Sequence, residues 1–276
     1  MKRLWTTFRY TFTGMRWQII GWGLGVALYG LMIIPMYESL GKNPGQFQQM
    51  IASYPPEFLA FFGADIKSPL TPAGFLGMYA FSMLPVIVGV FAVIAGSGLI
   101  VNDEERGRLD LIIAHPVGRQ PFFWGRLLGF LGATISILIL NWLGFSIMLG
   151  RSSLGLTWGQ MALPFLTLFV QLLLYAALGL LLSMLLPSRN LAAMLTAIVM
   201  VLSYLLSSLS FLDERIAAIS KALPYHYYQS VMSFEQLHLT QLVVLLVISL
   251  SMSLFASLLF HRRDIRLSGE GSWRKN

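Results

Sequence analysis

Six long stretches without a charged side chain divide the sequence into membrane-length windows. Cutting the chain at every Asp, Glu, Lys and Arg leaves uncharged windows at residues 17–37, 68–102, 127–150, 152–188, 190–212 and 236–261. Each supplies the roughly 20 residues that cross a ~30 Å hydrocarbon core as an α-helix. Because a helix satisfies its own backbone groups in lipid and an open sheet edge does not, the pattern predicts an all-α membrane protein with six transmembrane helices. We place the spans at residues 17–37, 73–101, 122–149, 161–186, 191–212 and 239–260, within one transmembrane domain that covers residues 1–276.

The basic residues orient these spans. With the amino terminus inside, the inner segments hold 14 of the 19 Lys and Arg side chains and the outer segments hold five. An excess of Lys and Arg marks the cytoplasmic side of a membrane protein. The sequence therefore predicts that both termini are cytoplasmic, with residues 261–276 as a cytoplasmic tail.

Composition agrees with a membrane location. The chain is 56% hydrophobic and 11% charged, whereas a soluble domain has about a quarter of its residues charged. The formal net charge of +7 could also suit nucleic acid. No basic, aromatic-rich domain lies outside the spans, so we interpret the basic residues as orienting the helices and touching anionic lipid headgroups, with no nucleic-acid partner. With no cysteine, the chain has no disulfide, thiolate metal site or thiol nucleophile.

The amino-terminal residues 1–16 predict an amphipathic helix lying in the inner interface. Leu4, Phe8, Phe12 and Met15 share one face at helical spacing, with Trp5 beside them. The alternative is a frayed start that carries some basic residues.

Several residues within the spans predict packing or bending. Gly21 and Gly25 have the small-xxx-small spacing that lets helices approach closely. Pro85 lies near the middle of the second span and predicts a kink, which is either a hinge or a static bend.

Asn141 and Gln171 lie near the centres of the third and fourth spans and would form either interhelical hydrogen bonds or substrate contacts. A packing stripe is predicted in the last span from Ser249, Ser253 and Ser257.

The most highly charged run in the chain is residues 102–121, between the second and third spans. Asn102 could cap a short helix there, with Glu105 reaching back to it. Leu109, Ile112 and Ile113 would form an apolar stripe before Pro116 ends the segment. Acidic side chains fit poorly against anionic headgroups, so a protein groove is the favoured partner for this helix.

Motifs for catalysis are absent from the sequence. There is no GxxxxGK[ST] phosphate loop and no HExxH pair, and the four histidines lack metal-ligand spacing. An intramembrane enzyme would need a metal site or clustered acids. The sequence therefore predicts a chain that is not an enzyme, with no catalytic residues, no metal and no cofactor of its own.

Two motifs within residues 54–126 are YPPEFLAFFG, before the second span, and GSGLIVNDEERGRLDLIIAHPVGRQPFFWGRLLG, which begins at the end of that span. In these motifs the chain resembles the permease subunits of type-2 ABC exporters, in the branch that exports antibiotics and multiple drugs. Gly118 replaces a usual serine, and Arg126 stands where a lysine is common. The positions that match the family pattern are Glu104 or Glu105, Gly107, Leu109, Pro116, Val117 and Arg119.

The resemblance implies a type V exporter half with defined parts. Residues 1–16 would be its connecting helix, 102–121 its coupling loop and 213–238 its re-entrant outer helices. The family places the coupling helix in a cleft of a separate ATPase subunit, which carries the ATP and magnesium. Residues implied to couple to that ATPase are Asn102, Glu104, Glu105, Arg106, Gly107, Leu109, Ile112, Pro116 and Arg119.

The same resemblance implies a dimer with an identical or different permease in the cytoplasmic membrane of a prokaryote. In such dimers the second and fifth spans line a central cavity. The residues carried onto that cavity are Tyr79, Met83, Thr196, Met200 and Tyr204. Methionines, aromatic residues and few charges favour an apolar or amphipathic cargo, moved outward. The alternative is a membrane anchor or sensor that binds an ATPase without transport.

Overall fold

The computed structural model describes residues 2–41, 51–55, 71–107, 118–210, 213–234 and 236–262, with the single residues 45, 49 and 59. Every regular element in this part of the chain is a helix. Six segments are long and apolar enough to cross a membrane. The prediction of an all-α membrane protein with six transmembrane helices is therefore confirmed. The tail at 263–276 lies outside the described residues.

The helices follow one another with short connections. They are α1 (Lys2–Gly14), α2 (Arg16–Gly41), α3 (Pro72–Leu76), a π-helical turn (Gly77–Phe81), α4 (Leu84–Gly98), α5 (Val101–Glu105), α6 (Arg119–Ser146), α7 (Trp158–Leu185), α8 (Arg189–Ser208), α9 (Glu214–Ser220) and α10 (Leu239–Arg262). Among the described residues, three 3-10 turns lie in the segments that follow the third and fifth spans, at Leu149–Arg151, Pro224–Tyr227 and Val231–Phe234. The helix ends of the six spans fall within four residues of the predicted boundaries.

The fourth span, α7, is the centre of the bundle. It packs against α4, α8, α10 and α6, while α2 packs against α6 on the outside. In the second and fourth spans 67% of the most apolar window is buried, against 28–44% in the other four. The second and fourth spans therefore form the core, and the others leave a large apolar surface exposed.

Close backbone contacts hold the bundle together where glycine faces another helix. A Cβ atom at Gly96 on α4 would lie 2.4 Å from the carbonyl oxygen of Ala176 on α7. At Gly144 on α6 it would lie 2.4 Å from the Cα of Ala27 on α2. Such contacts are typical of membrane helices, where packing rather than exclusion of water drives association.

The predicted packing of Gly21 and Gly25 was wrong within this chain. A Cβ at either position would meet nothing within 4 Å. Instead Gly23 faces Leu140 and Gly30 faces Phe145, both on α6. The small-residue spacing is present on two faces of α2, and the bulky partners on α6 select the other face. The serine stripe of the last span is confirmed, because Ser249, Ser253 and Ser257 are all buried.

Helix α1 packs along the amino-terminal half of α6 through threonines. Thr7 and Thr11 are buried, and they fill the space left by Gly125 and Gly129. The Thr11 hydroxyl donates to the Thr7 carbonyl at 2.9 Å, so it is satisfied within its own helix. The predicted apolar face, including Phe12 and Met15, is only partly buried beside this contact.

The two buried amides behave differently. Asn141 on α6, with its amide nitrogen turned towards α2, donates to the Gly23 carbonyl at 2.8 Å, which is the interhelical bond predicted as one alternative. Gln171 instead donates to the hydroxyl of Tyr175 on its own helix at 2.8 Å. For Gln171 this bond is within α7 rather than between helices.

Candidate coupling site and transport path

The charged segment after the second span starts as the short helix α5. Its acidic residues divide between two environments: Asp103 and Glu104 are buried, whereas Glu105 and the following Arg106 are exposed. Gly107 has a φ of 62°, a left-handed conformation that glycine adopts without strain, and it ends the helix. The segment therefore has one face turned into the bundle and one turned outward.

A buried ion pair joins α5 to the base of α6. The guanidinium of Arg126 pairs with the carboxylate of Asp103, and the two side chains are only 12% and 8% exposed. The same guanidinium lies over the rings of Tyr10 on α1, at 5.4 Å, and Phe122, at 5.1 Å. This cluster ties α5 to α6 and to α1.

Arg189, the first residue of α8, joins the same segment to the fifth span. Its guanidinium donates to the side-chain oxygen of Asn102 at 3.1 Å, and its backbone N–H donates to the carboxylate of Glu105 at 2.9 Å. A carboxylate at a helix amino terminus is favoured by the free N–H groups there.

The predicted cap at Asn102 was therefore wrong. The residue that precedes α5 is Ile100, with no side-chain cap, and the oxygen of Asn102 is used by Arg189. The short helix is held by tertiary bonds instead of a capping box.

The far end of the segment is tied to the last span. Arg119, at the start of α6, donates to the backbone carbonyl of His261 at 3.0 Å and to that of Phe260 at 3.4 Å. Carbonyls at a helix carboxyl end lack partners within the helix, so a cation is favoured there.

The structure places six of the nine predicted coupling residues. Asn102, Glu104, Glu105, Arg106, Gly107 and Arg119 lie together at one end of the bundle, and Leu109, Ile112 and Pro116 fall at 108–117, outside the described residues. Sequence reasoning gave no such role to Asp103, Arg126 or Arg189. The sequence does place Arg126 and Arg189 at the edges of long uncharged windows, which indicates that both lie at the ends of spans.

The residues predicted to line a cargo cavity lie around α4 and α8. Thr196, Met200 and Tyr204 are buried within the chain, and the Met200 sulfur covers Gly89 on α4. Tyr79 and Met83 are partly buried at the break in the second span. Their role in binding cargo stays a prediction.

The regular α-helix of the second span is interrupted at Ser82 and Met83, next to Pro85, where a kink is predicted. The π-helical turn ends at Phe81, and α4 begins at Leu84 with Pro85 in its first turn. Because Val86 bonds to the carbonyl of Met83, the carbonyl of Ser82 is released from its usual partner.

Two tyrosines from other segments donate hydrogen bonds to backbone carbonyls at this interruption. The hydroxyl of Tyr225, in the outer segment, donates to the Ser82 carbonyl at 2.6 Å. The hydroxyl of Tyr29, on α2, donates to the Tyr79 carbonyl. These bonds explain how an interruption in the helical hydrogen bonding is tolerated within a membrane span.

The outer segment covers this bend. Tyr225 packs edge-to-face on Tyr204 of α8 at 5.2 Å, and its N–H donates to the Ser203 hydroxyl at 2.7 Å. Beside it the side chain of Tyr228 is buried, and burial raises the pKa of its hydroxyl well above the ordinary value, so the group stays protonated. The segment is partly helical, as predicted.

A cavity of about 710 Å³ lies on the outer side of the bend. It opens between the outer ends of the second and fourth spans and the outer segment, and its lining includes Thr71, Gly77, Ser82, Gln160, Tyr225 and Met232. Among the residues that the structure describes, no group of three or more His, Asp or Glu side chains is arranged to hold a metal.

These features define a multi-pass membrane protein with an interrupted second span and a charged element held at one end of the bundle. A family model described as the C-terminal domain of the multidrug efflux system permease Rv1217c matches residues 6–261. The chain therefore belongs to this family of multidrug efflux permeases, which confirms the resemblance drawn from the motifs. No curated protein matches the chain.

Proposed function

We propose that this permease is the membrane subunit of an ATP-driven exporter. A separate ATPase docks on the segment from Val101 to Arg119 and supplies the energy, and the chain itself catalyses no reaction. It works in the cytoplasmic membrane with both termini inside, paired with a second permease chain. Its cargo is apolar or amphipathic and leaves towards the outside.

This proposal rests on the contacts that join the charged segment to several spans. Covalently it continues the second span and leads into the third. Arg126 ties it to α6, Arg189 ties it to α8, and Arg119 ties it to α10. A force applied to the segment therefore acts on four of the six spans, which is the arrangement that a rigid-body transition needs.

The exposed face supplies the contact with the ATPase. Glu105 and Arg106 are exposed at the end of α5 and carry opposite charges. Charges at the rim of an interface contribute orientation and specificity more than affinity. Reversal of one such charge is therefore a sensitive test of docking.

The bend in the second span supplies the moving part. Its inner half, α4, is joined to the clamped segment, while the carbonyls at its break are held by Tyr29 and Tyr225. Movement of α4 against the outer segment changes access from the break, where Tyr79 and Met83 lie, to the outer cavity.

Two variants separate docking from transmission. Arg106→Glu reverses an exposed charge and should reduce the amount of ATPase that co-purifies with the permease by about tenfold, a change of about 1.4 kcal/mol. Asp103→Asn removes the buried partner of Arg126 and should leave the ATPase bound but lower export of an amphipathic dye from cells. Arg215→Glu, an exposed charge on the outer side, is the matched control and should change neither quantity.

The proposal is wrong if Arg106→Glu and Asp103→Asn both retain full ATPase binding and full export at equal expression. An unmodified permease that binds an ATPase but never moves dye would indicate the anchor or sensor instead.

A further inference from the structure

A positively charged cavity lies at the cytoplasmic end of the bundle. It has a volume of about 370 Å³ and opens between the junction of α1 and α2, the end of α4, the base of α6 and the start of α8. Its charged lining residues are Arg16, Arg106, Arg126, Arg189 and Asp103. Four cations and one anion give this lining a net charge of +3.

The positive charge is only partly used within the protein. Asp103 is paired with Arg126, Arg189 donates to the neutral oxygens of Asn102 and Ile94, and Arg16 lies over the ring of Trp17. The Nε atom of Arg126 is buried without a hydrogen-bond partner. Among the described residues, neither Arg16 nor Arg106 forms an ion pair. The cavity therefore holds donors and positive charge that suit a phosphate group.

The cavity continues into an apolar surface on the second span. Ile94 lines the cavity and is exposed, and Val90 and Ile87 extend the same exposed face along α4. On α2, which supplies the lining residues Arg16 and Gln18, the side chains of Trp17 and Ile20 are also exposed. A ligand with a phosphate at one end and hydrocarbon chains at the other matches both parts.

We propose that this cavity binds the phosphate group of an anionic phospholipid from the cytoplasmic leaflet, with its acyl chains along the exposed face of α4. Basic pockets between membrane helices on the cytoplasmic side are suited to anionic headgroups. Free inorganic phosphate shares the headgroup chemistry, but it would leave the apolar part of the surface without a ligand.

The bound lipid joins the elements that position the charged segment. Its phosphate contacts arginines from α2, from the end of α5, from α6 and from α8. A ligand that binds only the folded arrangement stabilises it by mass action. Anionic lipid should therefore stabilise the purified permease more than zwitterionic lipid does.

The test uses the purified full-length chain in nanodiscs or detergent micelles. Native mass spectrometry measures retained lipid, and a melting experiment measures stability, with phosphatidylglycerol, phosphatidylcholine of the same chains, or inorganic phosphate added. Phosphatidylglycerol should be retained and should raise the melting temperature, whereas the other two should have little effect. In the double variant Arg16→Gln/Arg106→Gln, retention should fall about tenfold, because each basic residue near the surface contributes to the attraction.

The matched control is Arg9→Gln, which removes an exposed arginine of α1 that does not line the cavity. It should retain phosphatidylglycerol as the unmodified chain does. Equal retention of the two lipids, or full retention by the double variant, contradicts the proposal. Equal stabilisation by inorganic phosphate shows a site for a free anion and also overturns the assignment to lipid.

Discussion

The buried pair of Asp103 and Arg126 should be energetically coupled, and its two halves should differ in cost. Removing one partner of a buried ion pair costs about 3–5 kcal/mol, because the other charge is left uncompensated. Both side chains are about nine-tenths buried, so this range applies here. In Asp103→Asn, Arg126 keeps its contacts with the rings of Tyr10 and Phe122.

Those ring contacts set the difference between the variants. A cation over an aromatic ring contributes about 0.5–2 kcal/mol. We therefore expect Asp103→Asn to lower the free energy of unfolding by about 3 kcal/mol and Arg126→Gln by about 5 kcal/mol. The double variant leaves neither charge of this pair unpaired and should cost at least about 1 kcal/mol less than the sum of the two.

The assay is equilibrium unfolding of the purified permease in mixed micelles, carried out as a double-mutant cycle. Arg9→Gln, on the exposed side of α1, should change stability by no more than about 0.5 kcal/mol. If the effects of the two single variants add within about 0.5 kcal/mol, the side chains do not act as a pair. The ion pair would then not hold α5 against α6.

Three further changes test other contacts. Tyr225→Phe removes the bond to the Ser82 carbonyl and should lower the free energy of unfolding by about 1 kcal/mol, with no effect expected if the bend is held by other means. Arg119→Gln removes the tie to the end of α10 and should reduce dye export while the amount of co-purified ATPase stays unchanged; loss of both together would place the residue in docking instead. Gly96→Val forces a side chain against the backbone of Ala176, and gel filtration should show aggregated or unfolded protein, whereas a normal elution profile contradicts the close contact.

The six spans were predictable because lipid imposes a simple rule on the chain. A charged side chain in the hydrocarbon core is costly, so windows without charges mark the helices and their ends. The kink at Pro85 was predictable for a similarly local reason, since proline has no N–H to donate. Membership of the permease family followed from a short block of motifs around the charged segment.

The contacts that the charged segment makes within the bundle could not be predicted. The sequence shows that Asp103 and Glu105 lie close together, but not that one is buried against Arg126 and the other is exposed. Both environments accept an acidic residue, and the choice depends on where α6 and α8 begin in space. The bond between Asn102 and Arg189 joins residues 87 positions apart and leaves no local signal.

Helix packing was also only partly predictable. The spacing of Gly21 and Gly25 suggested a contact, but the bulky side chains of α6 meet Gly23 and Gly30 instead. Burial of Thr7 in α1 follows from its partner Gly125, which is more than a hundred residues away. Small residues show where another helix can approach closely. Which of these positions is in contact depends on the side chains of the neighbouring helix.

The claim that an ATPase binds the charged segment is tested most directly by site-specific crosslinking. The chain has no cysteine, so Gln120→Cys introduces a unique thiol at an exposed position beside the charged segment without removing a charge, and Arg151→Cys introduces one after the third span as control. After treatment of membranes with a thiol-reactive photocrosslinker, position 120 should give an adduct with a soluble ATPase subunit, in a yield that changes when ATP is added. No adduct at position 120, or an equal yield at position 151, would contradict the account.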